Sequence, residues 1–143
     1  MGYEEFAKVA IETVREALEF FRIGNPLVRK GPRGEVHIDV PLMYYDFAID
    51  RMHFDPYINS ISPKGRPVMA VGVKIAEEVL KRCKTALKEL RVLDAVEFRG
   101  PENSWAVPLA WGPFIIAHVK VSYEGEEIVP DYGLTEEVRR NVL

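Results

Sequence analysis

The chain has 143 residues, 48% apolar and 29% charged, with a net charge of −3 and a pI near 5.7. A chain this long typically buries ~68–70% of its extended surface, enough for one core without staples, and this mix indicates neither disorder nor a fibrous repeat. The acidic balance argues against a surface that wraps nucleic acid. A lone cysteine, Cys83, rules out an intrachain disulfide and a disulfide-framed secreted scaffold, so a cytoplasmic location is expected. No apolar run approaches the ~20 residues that span a bilayer, so no membrane contact is expected, and the start lacks the basic region of a signal peptide. Glutamine is absent while Glu, Lys and Arg abound, a bias of proteins that work hot, so a thermophilic source is expected.

Residues 4–22 predict a helix, because Phe6, Val9, Ala10, Val14, Ala17, Leu18 and Phe21 recur at helical spacing and Gly24-Asn25-Pro26 would stop it. Residues 28–34 read as a loop from their Gly and Pro content. Two strands follow, 35–42 and 47–55, joined through Tyr44-Tyr45-Asp46. Sharing one apolar face pairs Leu42 with Ala48, Ile38 with Met52 and Val36 with Phe54. The other face then pairs Asp39 with Arg51 and His37 with His53, beside Phe47 and Ile49. Asp50 is a misfit, falling on the apolar side.

After a Pro/Ser/Gly-rich connection, Pro67 opens a long helix whose apolar stripe runs from Val68 through Val79, Cys83 and Ala86 to Leu90. Glu77/Lys81 and Glu78/Arg82 sit at the favourable i to i+4 spacing. Strands are predicted over 93–98, 105–111, 114–123 and 126–129. Pro108 places its strand at an edge or marks an interruption, and a Glu124-Gly125 turn puts Val121 opposite Ile128. Alternation sets Trp105, Val107, Leu109 and Trp111 on one apolar face, fit for the core or a dimer interface. Thr135, followed by Glu136 and Glu137, reads as the N-cap of a short last helix. The order α-β-β-α-β-β-β-β-α, with few parallel crossovers, predicts a single α+β domain over residues 1–143: a mainly antiparallel sheet with helices packed on one face.

No dinucleotide, phosphate-loop, zinc or nucleophile-elbow motif is present, and Cys83 on an apolar stripe reads as an inert small hydrophobe. No cofactor is indicated. The sharpest pattern is His-x-Asp in both hairpin strands, His37-Ile38-Asp39 and His53-Phe54-Asp55. Cross-strand imidazoles with flanking carboxylates make His37, Asp39, His53 and Asp55 candidate ligands for a divalent metal such as zinc. The adjoining loops carry Arg29, Lys30 and Arg33 on one side and Lys64 and Arg66 on the other, beside a helix N-terminus. With His37, Arg51 and His53 they outline a candidate pocket for a phosphorylated or carboxylated small molecule. Tyr44 and Tyr45 are candidates for contact with a protein partner, and His118 falls on the polar side of its strand. The leading expectation is a non-enzymatic binding protein, a homodimer using the open face of its sheet. The alternative is an enzyme or sensor for an anionic metabolite at the first hairpin.

Overall fold

The computed structural model describes residues 2–34, 36–55, 60–62 and 76–140. Helix α1 (Tyr3–Ala17) carries Glu4 and Glu5 in its first turn and Arg15 in its last, complementing the helix dipole. Its buried face is Ala10, Ile11, Val14 and Ala17. The helix ends earlier than its apolar spacing predicts. A 3-10 turn over Leu18–Phe20 leads into strand β1 (Phe21–Ile23), where Phe21 and Ile23 are buried and Arg22 is exposed. Phe21 thus belongs to a two-residue period rather than to the helical stripe.

Strand β2 (Leu27–Lys30) replaces the loop expected there. Both β1 and β2 lie along β3 (Val36–Tyr44), with Ile23 opposite Leu42 and Leu27 opposite Asp39, as one strand broken at Gly24-Asn25-Pro26. The break presses close on β3. Gly24 N–H donates to the Pro41 carbonyl at 2.9 Å, and a Cβ on Gly24 would lie 2.8 Å from Pro41 Cγ.

The hairpin of β3 and β4 (Phe47–Asp55) forms in a different register from the one expected. Ile38 pairs with Phe54, Asp39 with His53 and Val40 with Met52. Two local devices cause the change. Tyr45, at φ 53°, closes a tight turn between Tyr44 and Phe47, which moves the pairing by one residue, and a bulge beside Leu42/Met43 moves it by another. Two shifts of one restore the original face, so Ile38, Val40, Leu42, Met52 and Phe54 still enter the core. Around the bulge the faces differ. Phe47 and Ile49, expected on the polar face, pack into the main core, and Ala48 joins Leu27 and Met43 on the opposite face. Strand β5 (Ser60–Ser62) continues the sheet beyond β4.

Helix α2 (Ala76–Leu87) buries Val79, Cys83 and Ala86 at the expected spacing, with Glu78 and Arg82 paired at 3.3 Å. The predicted start of this helix, including Pro67, lies outside the described residues. In the second sheet β8 (Ser104–Trp111) is central, with β9 (Phe114–Ser122) along one side. The short strands β6 (Arg91–Val92) and β7 (Glu97–Arg99) follow each other on its other side. Pro108 falls in the gap between them, the interruption its missing N–H predicts, and its carbonyl accepts from Leu93 N–H. Trp105, Val107 and Leu109 enter the main core, Trp111 packs against it, and Val121 faces Ile128 as the Glu124-Gly125 turn predicts.

The α+β class and antiparallel pairing stand as expected, with two differences: the strands form two sheets rather than one, and the helices do not all share one face. Helices α1 and α2 share the main core, whereas α3 (Tyr132–Arg140) packs Leu134 against Leu27, Met43 and Ala48 on the other face of the first sheet. Its cap is Asp131, whose Oδ1 accepts from Leu134 N–H at 2.9 Å, and not Thr135. Thr135 lies within the helix. Its hydroxyl accepts from the buried Ala48 N–H at 2.9 Å and donates to the Asp131 carbonyl at 2.7 Å. Among the described residues no helix is long and apolar enough to cross a membrane. Replacing Thr135→Val keeps the shape but strands a buried N–H, so the variant should lose about 1–3 kcal/mol in urea denaturation while Thr135→Ser stays near wild type.

Candidate functional site

Two polar regions flank β4. On the α3 side of the first sheet, Asp39 is buried and its Oδ2 accepts from Arg29 at 2.9 Å and from Arg51 at 2.8 Å. Arg51 reaches on to Glu137 of α3 at 2.7 Å. Burial works against the Arg51 charge, yet the hydrogen bonds to Asp39 and Glu137 outweigh it and hold its pKa above the ordinary value. His53 Nδ1 lies 3.9 Å from Asp39 Oδ1, and its buried Nε2 has no hydrogen-bond partner.

The observed register separates the two histidines that the sequence set side by side. His53 shares a row with Asp39 and Ser62, and His37 shares one with Arg29. Asp55 ends β4 opposite Ser60. Among the described residues no group of three or more His, Cys, Asp or Glu is arranged to hold a metal ion. Arg29 and Arg51 are engaged by Asp39, Lys30 ends β2, Arg33 lies exposed in the turn before β3, and Lys64 and Arg66 lie outside the described residues.

The second region is a trough on the outer face of the second sheet, which the sequence signalled only through His118. Alternation that sends Trp105 and Val107 inward leaves Ser104 and Ala106 outward, opposite Ser122 and Lys120 on β9. These small residues line a floor. A pocket of about 260 Å³ is lined at one end by Asp50, Arg99, His118 and Asp131. A second, of about 400 Å³, is lined by Ser104, Glu124, Glu126 and Glu127, and the two share Glu102 and Val129. Where they meet, Lys120 Nζ pairs with Glu102 at 2.8 Å, and this hydrogen bond holds the Glu102 carboxyl below the usual carboxylate range.

Asp50, the misfit of the sequence pattern, closes one end. Its Oδ2 accepts from the backbone N–H of His118 at 2.7 Å and its Oδ1 from that of Arg51 at 2.8 Å, tying β4 to β9. Ser104, only 1% exposed, keeps a hydroxyl with no hydrogen-bond partner. A small-residue strand face paired with a polar one, followed by a Glu-rich turn, is the signal that could have located this trough from sequence.

Cys83 contributes no chemistry, because burial pushes its thiol up to about 12. The native thiol holds its proton more tightly than the unfolded one. Its contribution to stability is therefore fully present below the unfolded value near 9.0 and is lost as pH rises toward about 12. Urea midpoints should fall between pH 8 and pH 11, and the fall should be shallower in Cys83→Ala. Compared with known protein families, curated proteins and solved structures, the chain matches none, so its function has to be argued from the groups that line these sites.

Proposed function

We propose that the protein is a non-catalytic binding protein that takes a small polar molecule in the trough on the outer face of its second sheet. The observation that carries this reading is the convergence of charged side chains of both signs along two adjoining pockets floored by small residues. The first hairpin supports it less well, because Arg29 and Arg51 are already held by Asp39 and Glu137. The cytoplasmic setting and thermophilic source rest on the single buried cysteine and the glutamine-free composition.

A thermal-shift screen of cationic, neutral and anionic metabolites tests the reading. A ligand at a hundredfold excess over Kd should raise Tm by roughly 5–10 °C. Amide NMR shifts should cluster at residues 102–106, 118–122 and 126–131. Shifts confined to 29–37 and 53–55 would return the site to the hairpin.

A second reading, self-association, is favoured by an exposed aromatic pair. Phe20 and Tyr45, 51% and 58% exposed, stack with ring centroids 6.3 Å apart beside the exposed Arg22, a composition enriched at interfaces. It moves the expected homodimer contact away from the sheet face, whose Phe47 and Ile49 are core residues. Light scattering should give a dimer mass that falls to monomer in a Phe20→Ser, Tyr45→Ser variant, and a monomeric wild type removes this reading.

A further inference from the structure

We infer that the protein pairs with a second copy of itself so that the Phe20–Tyr45 stack of each seats in an apolar groove of the other, an inference that rests on the self-association reading. The groove lies where the end of α1, the 3-10 turn and the end of α2 meet. It holds about 480 Å³ and is floored by Leu18, Phe21, Leu87 and Leu90. Phe21 and Leu90 are buried, whereas Leu18 and Leu87 are half-buried and leave apolar surface uncovered. Glu16, Glu19 and Lys88 stand on its rim, all exposed.

The stack is a preformed knob. Phe20 lies nearly parallel to Tyr45, Tyr45 packs on Tyr44 with centroids 4.5 Å apart, and Tyr44 packs on Phe21 at 5.6 Å and on Phe47 at 5.9 Å. Phe21 and Phe47 belong to the core, so this row ties the exposed pair to fixed side chains. Arg22 donates to the Tyr45 carbonyl at 2.9 Å and holds the turn against β1. A group already fixed in place gives up little freedom on docking, which leaves more of its apolar burial to show as affinity.

Charge complementarity selects a second copy as the occupant. Arg22 stands beside the knob while Glu16 and Glu19 stand beside the groove, and none of the three has an ion-pair partner among the described residues. Asp46, exposed at the tip of the turn, and Lys88 on the rim are likewise unpaired there. Arg22 therefore meets the glutamates of the other copy as Asp46 meets its lysine. Position supplies the symmetry. Phe20 falls between Glu19 and Phe21, so knob and groove adjoin, and one twofold axis between them closes both contacts at once.

Sedimentation equilibrium of the full chain over a concentration series tests this, with urea midpoints confirming that each variant folds. Arg22→Glu should weaken the dimer roughly tenfold, since each substitution counts twice across the axis, and Glu16→Lys with Glu19→Lys should do the same. Combining all three should bring the affinity back to within about threefold of wild type, a rescue that requires Arg22 to touch the glutamates and that the lost Arg22–Tyr45 hydrogen bond cannot mimic. No rescue, with the dimer still lost in the Phe20→Ser, Tyr45→Ser variant, would overturn the inference and leave self-association through the aromatic pair standing. A dimer that survives the aromatic substitutions, or a monomeric wild type, would overturn both. A monomer that binds anilinonaphthalene sulfonate, with the fluorescence lost in Leu87→Lys, would make the groove a small-molecule site instead and overturn the inference.

Discussion

The joint between the two sheets is the constraint on which the rest of the molecule depends. A carboxylate that accepts two backbone N–H groups makes charge-assisted hydrogen bonds, among the stronger ones a fold can use. Asp50 does this at the bulge of β4, holding the edge of β9, while the neighbouring Ala48 offers its carbonyl to Asp131 and its N–H to Thr135. One short stretch of β4 therefore fixes the second sheet, the entry to α3 and one end of the trough.

The parts of the fold legible in the sequence are those where periodicity speaks alone. The stripe of α2, the inward alternation of Trp105 to Leu109, the gap at Pro108 and the pairing of Val121 with Ile128 were all readable from spacing and turn residues. What was hidden depends on events one residue long. The turn at Tyr45 and the bulge at Leu42/Met43 each shift the ladder once; their sum preserved the core while separating His37 from His53. Phe21 satisfies a helical and a strand period equally, and only its partner Tyr44 decides between them. Thr135 looked like a cap because its neighbours are acidic, whereas its hydroxyl is claimed by a β4 edge more than eighty residues away.

Of the candidate sites, the hairpin face was readable as a set of residue types but not as an arrangement. The sequence supplied Arg29, Asp39, Arg51 and His53, and α3 supplied Glu137, which completes a closed chain of ion pairs. Charges already paired with one another in this way have less left to offer a ligand. The trough differs in that its charges are not balanced internally. Its residues come from β4, β7, β8, β9 and two loops, so no local window of sequence displays them together.

The break at Gly24-Asn25-Pro26 has a consequence for how copies of this chain behave in crowded solution. Among the described residues, the outer side of β1 and β2 carries no strand partner. An unbroken ten-residue ladder there would offer a stranger chain a full row of amides and carbonyls to zip onto. Instead the row is cut into pieces of three and four residues, with a proline that cannot donate between them. The kink that brings Gly24 against Pro41 thus doubles as a guard against aggregation.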